Sequence, residues 1–319
     1  MINRKAFFIV PLMVLSASAC TEKCRTVVKQ RIMMDTIVEI TVAENEKSGI
    51  SMSIEKAFAE ISRLEKLTSP VDGRDVKNVN TNAGVMHVKV SDDAFSIIRS
   101  AVYYSGLTGG AFDITVAPLM RLWGFVGKGS RKKMRIPAEE SIKKVLNCVG
   151  YKNIVLDEAK KSVFLKRPCA EINLGGIAKG YIIKKAMEVL RKEGINNAIV
   201  NAGGDLIISG NRFGKKWRIG VRDPHNKENI RKKICISGNK CVFTSGNYER
   251  CFEVDGKRYH HIFNPKTGYP ADAGISSVTV IGDDPVACEA LTKAVFILGP
   301  GKWKAVADKF KNMKVILYR

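Results

Sequence analysis

Residues 171–190 read EINLGGIAKGYIIKKAMEVL, with KSVFLK (161–166) shortly before them. The upstream segment is short and β-prone. Ile182, Ala186, Val189 and Leu190 fall on one face at helical spacing, and Gly194 closes the run. The stretch therefore predicts a strand, a glycine turn and a helix. Adjacent glycines let backbone approach a ligand closely, and the first N–H groups of a helix are free to meet an anion. Taken alone, the same turn also serves as plain core packing.

Downstream of this helix the pattern changes. NAIV, DLIIS, WRIGVR, CVFTS and SSVTVIG read as strands, and the next helical pattern runs from about Pro285 to Leu298. Upstream, MMDTIVEITV alternates as a strand. SMSIEKAFAEISRLEKL places Ile54, Phe58, Ile61 and Leu64 on one helical face. Ser91 caps a further helix with Asp92 and Asp93 in its first turn. Strands grouped with few intervening helices predict an α+β fold of antiparallel sheets flanked by helices, as a single large catalytic domain over 31–319.

The chain begins with a targeting pattern. Arg4 and Lys5 precede the apolar run AFFIVPLMVL, and SASAC ends in small residues and Cys20. The run is too short to span a bilayer. Cysteine after small residues resembles a bacterial lipoprotein box, although Ala17 stands where leucine is usual. The expectation is a signal peptide over 1–19, lipidation at Cys20, a tether over 20–30, and work outside the cytoplasm, in the cell envelope. The 53 Lys and Arg against 31 Asp and Glu give a net charge of +22. Such an excess suits anionic partners. The basic residues are spread out rather than interleaved with aromatics, which favours a solvated surface near anionic membrane over nucleic acid. Seven further cysteines form no CxxC, arguing against a zinc site. Cys235 and Cys241 are spaced to close a short hairpin, though no pairing is fixed by sequence.

Several clusters carry chemistry. GGAFDITVAPLMRLWGF (109–125) holds Phe112, Asp113 and Trp123; NAGGD (201–205) is a turn after a buried strand; TSGNYER begins at Thr244. YHHIFNPKTGYP (259–270) carries adjacent His260 and His261, which on a strand point to opposite faces. CEALTKAVFILG places Glu289 and Lys293 one helical turn apart. These blocks, with MDT and NLGGIAKGY, occur in the order seen in the ApbE family of flavin transferases. The chain resembles that family from about Met34 to Gly299.

The resemblance implies that FAD is a substrate, its FMN half passing to a threonine hydroxyl of an acceptor protein with release of AMP. It implies flavin-nucleotide contacts at Met34, Ala111, Phe112, Asp113, Asn173, Lys179, Ile262 and Thr267. A magnesium site is implied at Gly176, Glu289 and Lys293. Displacement at a pyrophosphate phosphorus needs cationic neutralisation, in-line placement and a base. Lys179 supplies charge, and either His260 or His261 is the candidate base. Three departures stand out. Asn173 replaces the family's aspartate, Pro70 falls where a stacking tyrosine is expected, and Glu289 and Lys293 replace aspartate and threonine on the last helix. Glu289 suits a hard cation; a protonated lysine does not ligate one. The alternatives to transfer are an FAD-holding lipoprotein or an FAD pyrophosphatase.

Overall fold

The computed structural model describes residues 24–45, 48–69, 73–126, 134–226 and 228–319; the leader, Cys20 and Pro70 lie outside the described residues. Strand β1 (Cys24–Met33) folds back on β2 (Thr36–Asn45), followed by helices α1 (Ile50–Thr68) and α2 (Arg74–Thr81). Then come β3 (Val88–Lys89), α3 (Asp92–Leu107), α4 (Ala117–Leu122), α5 (Glu139–Leu146), β4 (Ile154–Asp157) and β5 (Ser162–Leu165). Helix α6 (Ala178–Lys192) leads into β6 (Ala198–Ala202), β7 (Asp205–Ser209), β8 (Trp217–Arg222), β9 (Ile230–Ile236) and β10 (Lys240–Gly246). After the hairpin of β11 (Cys251–Val254) and β12 (Lys257–His260) come β13 (Ser277–Gly282), α7 (Pro285–Leu298), α8 (Trp303–Ala307) and β14 (Lys314–Tyr318).

Seven strands form one sheet in the order β1-β2-β6-β7-β10-β13-β14, with every neighbouring pair antiparallel. The fold is thus α+β, as the grouping of strands predicts. Strand β7 is buried along its whole length because both sheet faces are covered. Ile207 faces the main core, built with Ile54, Phe58 and Ile61 of α1, Ile182 and Leu190 of α6, and Leu291 and Val295 of α7. Leu206 and Ile208 face the other way, against Trp217, Ile219 and Ile236 of the β8–β9 ribbon. Helix α7 is apolar nearly all round and sits deep in the main core, as such a helix must. It therefore carries Glu289 into a place where a carboxylate needs partners.

Capping follows the sequence closely. Ser91 Oγ accepts from Ala94 N at 3.3 Å to start α3, and Asp284 accepts from Val286 N at 3.0 Å to start α7. One expectation is corrected. Strand β1 begins at Cys24, so residues 24–30 are paired with β2 rather than forming part of a tether. Cys235 and Cys241 are not bonded to each other, and among the described residues a disulfide joins Cys148 to Cys169. Cys235 lies exposed near the end of the ribbon strand β9, whereas Cys241 is buried in the central sheet, so the two face different surroundings.

Candidate active site

Two tight turns lie side by side at one end of the sheet. Met34 and Asp35 link β1 to β2 with φ of 53° and 56°, the left-handed backbone of a two-residue hairpin turn. Neither is glycine, so the turn carries strain that surrounding contacts must hold; Met34 N donates to Glu65 Oε1 at 2.7 Å. Gly203 and Gly204 make the corresponding turn between β6 and β7, with φ of 64° and 101°. Gly203 N donates to Ile37 O at 3.1 Å, and a Cβ there would lie 2.4 Å from Thr36 Oγ1, so only glycine lets the turns touch.

Asp205 follows immediately and is buried. One carboxylate oxygen accepts from Thr244 N of β10 at 3.0 Å, and the other forms an ion pair with Lys179 in the first turn of α6. Glu289 of α7 reaches the same helix end, its Oε2 accepting from Gly180 N at 2.6 Å. That N–H is one of the donors a helix start leaves without a partner, and the helix dipole favours a carboxylate there. Glu289 Oε1 faces Lys293 Nζ at 3.4 Å. Burial pushes the Glu289 carboxyl above its ordinary value, against the pull of Lys293 and Lys179. Burial also opposes the charge on Lys179, but Asp205 and Glu289 outweigh it and hold the ammonium above the usual lysine value.

The two histidines separate cleanly. His260, at the end of β12, is 4% exposed. Its Nε2 lies 2.9 Å from Ala271 O and its Nδ1 accepts from Ile262 N at 3.2 Å, so both ring nitrogens are engaged. Burial lowers it to about 4. As a candidate base His260 is corrected to a structural residue. His261 Nδ1 lies 3.3 Å from Arg250 O. A carbonyl only accepts, so Nδ1 carries the hydrogen and Nε2 keeps its lone pair. Burial, then the Arg250 guanidinium, lowers His261 to about 3, with Lys293 adding to the effect. Arg250 also lies 3.8 Å from Asp35 in the hairpin turn, which ties His261 to the neighbourhood of Met34.

The remaining predicted residues frame this cluster. Asp113 starts a 3₁₀ turn: Oδ1 accepts from Thr115 N and Oγ1 at 2.8 and 2.6 Å, and Oδ2 accepts from Tyr151 N at 2.7 Å. Burial raises it despite those three donors. Its role in the chain alone is to shape the loop that carries the buried Ala111 and Phe112. Asn173 Oδ1 accepts from Gly175 N at 2.7 Å and so closes the glycine turn. Asn173 N donates to Ile114 O at 2.8 Å, and a Cβ on Gly176 would lie 3.3 Å from the Phe112 ring, so the two loops are packed together. Ile262 is buried behind His260. Thr267 is exposed in the turn of 264–268, which is anchored by Trp123 Nε1 donating to Gly268 O at 3.1 Å. No contact joins Thr267 to the Lys179 cluster among the described residues.

The ApbE family model matches residues 34–317. The chain belongs to the ApbE family. It is 36% identical over 265 residues to an FAD:protein FMN transferase of Klebsiella pneumoniae, covering 82% of this chain and 80% of that one. A Treponema pallidum FAD:protein FMN transferase is 27% identical over 307 residues, covering 90% and 83%. Among solved structures, the ApbE protein of Thermotoga maritima superposes with a TM-score of 0.84 at 35% identity, covering 92% and 94%. The flavin transferase ApbE of Vibrio cholerae gives 0.78 at 25% identity, with the same coverage.

Within this ApbE chain, the residues at the implied magnesium site do not fit that ion as arranged. Both Glu289 oxygens are taken, one by a backbone N–H and one facing an ammonium, and Asp205 is paired with Lys179. No group of three His, Cys, Asp or Glu side chains able to hold a metal occurs among the described residues. Sequence reasoning passed over two members of the cluster, Asp205 and Arg250. Each ends a block already singled out, NAGGD and TSGNYER, and a charged residue closing a glycine-rich block was the available signal.

Proposed function

We propose that this chain transfers FMN from FAD to a threonine hydroxyl of an acceptor protein, releasing AMP. The observation that carries the reading is the convergence of Lys179, Lys293, Arg250 and a His261 with a free ring nitrogen beside the strained Met34 turn. Lys179 and Lys293 neutralise the pyrophosphate, each a compact point charge suited to phosphate. Asp205 and Glu289 hold those ammoniums in place. His261 Nε2 takes the proton of the incoming hydroxyl. The cations that lower His261 are offset once an anionic pyrophosphate binds, which returns the imidazole toward its ordinary range and improves it as a base. Phe112 and the glycine turn around Gly176 supply a close-packed wall for the nucleotide. The magnesium expected through Gly176 and Glu289 carries no step in this reading, because Lys293 occupies its charge position.

We propose separately, from the leader pattern, that the chain sits in a bacterial cell envelope, anchored through a lipid on Cys20. Cys20→Ala then leaves the protein unprocessed or soluble; membrane fractionation and processing equal to the parent would leave a simple secretory leader. No described helix is long and apolar enough to cross a membrane. The transfer test mixes purified protein, FAD and a flavoprotein domain bearing the acceptor threonine, and reads in-gel flavin fluorescence. A fluorescent acceptor band supports transfer. AMP release with an unlabelled acceptor would make the chain a pyrophosphatase, and FAD retained intact would make it a binding protein.

A further inference from the structure

Two thiols outside the polar cluster lie against one another in the main core. Cys241, near the start of β10, and Cys288, in the first turns of α7, are both fully buried, with their sulfurs 3.2 Å apart. Gly282 is the cross-strand partner of Cys241, and a Cβ there would lie 2.8 Å from Cys288 Sγ. The absent side chain at 282 is what lets helix sulfur and strand sulfur meet. Met313 Sδ, 3.3 Å from Cys288 Sγ, closes the far side with a thioether, which cannot exchange. The chain already carries one cross-link, Cys148–Cys169.

We infer that Cys241 and Cys288 are the site of a second disulfide, formed while the chain folds under oxidising conditions. Buried thiols meet no oxidant once the core is closed, so the exchange precedes closure. The oxidant is a small-molecule disulfide or a dithiol–disulfide oxidoreductase. One cysteine thiolate attacks a sulfur of that disulfide and expels the first thiolate, giving a mixed disulfide. The other cysteine thiolate attacks the protein-side sulfur and expels the second. The cysteine pair loses two electrons, the oxidant gains them, and the two cysteine protons end on the released thiols. The bond pins α7 to β10, the two elements that carry Glu289 and the Thr244 N–H holding Asp205. It is independent of the transferase reading.

The test refolds the reduced, denatured full chain in a glutathione redox buffer, quenches free thiols with N-ethylmaleimide in acidified denaturant so that buried thiols react, and maps peptides by mass without reduction. The expected result is a Cys241–Cys288 linked peptide in the refolded protein. A Cys241→Ala/Cys288→Ala double variant should melt about 5 °C or more below the oxidised parent, since a long closed loop is released. N-ethylmaleimide on both Cys241 and Cys288, whatever the state of Cys148 and Cys169, overturns the inference. Linkage of either cysteine to Cys235 or Cys251 overturns it equally.

Discussion

His261 and His260 differ in what their ring nitrogens touch, and that difference assigns their roles. His261→Ala should lower transfer by about 100-fold or more while FAD affinity changes little, because a base acts on the hydroxyl rather than on the nucleotide. Equal transfer rates for parent and variant would place the base elsewhere. His261, held down by burial and neighbouring cations, should titrate upward from about 3 when FAD binds, read by NMR of the imidazole. Lys293 is the second residue on which the chemistry turns. Lys293→Thr should raise the dependence of AMP release on Mg²⁺, since the ammonium beside Glu289 is gone and a hydroxyl replaces it. Lys293→Met should weaken FAD binding. Identical magnesium titrations for parent and both variants would show that Lys293 only pairs with the buried Glu289 carboxylate.

The elements meet most tightly where α6 starts against α7. A Cβ on Gly180 would lie 2.7 Å from Pro285 O and 3.1 Å from Glu289 Oε2. Gly180→Ala should therefore separate the two helices, costing roughly 1–3 kcal/mol of stability and disturbing the Glu289 contact, measurable by urea unfolding and FAD affinity together. A fully stable variant with parent affinity would mean that the helix start is not a fixed part of the site. Sequence could point to this glycine but not to its reason, because the carbonyl it avoids belongs to a helix about a hundred positions away in the chain. The same limit explains the other gaps. Helices α1, α6 and α7 and strands β6, β7, β10 and β13 were legible because apolar periodicity is a local signal. The β11–β12 hairpin was not, since Glu253, Lys257 and Arg258 leave its strands polar and exposed. His260 and His261 could not be told apart until Ala271 and Arg250 were placed beside them. Asp113 stood out in its block, but only its partners Thr115 and Tyr151 show that it clamps the loop.

For the whole molecule, the lowered histidines make stability fall in acid. A buried histidine at about 4 in the fold and 6.5 in the unfolded chain binds its proton more readily when unfolded. The fold thus bears no cost from it above pH 6.5, and loses on the order of 3 kcal/mol by pH 4 for His260 alone. Melting temperature should drop between pH 6.5 and 4, and His260→Gln should flatten that slope although it lowers the plateau. An unchanged slope would mean that His260 does not titrate with unfolding. On the proposed function, this polar cluster moves FMN rather than merely holding or splitting FAD. The measurement that bears on it most directly counts AMP released and flavin bound covalently to the acceptor threonine in one reaction, for the parent and for His261→Ala. The expected result is one AMP per flavinylated acceptor for the parent and neither product above background for the variant. AMP accumulating without acceptor flavin, or equal yields from both proteins, would contradict it.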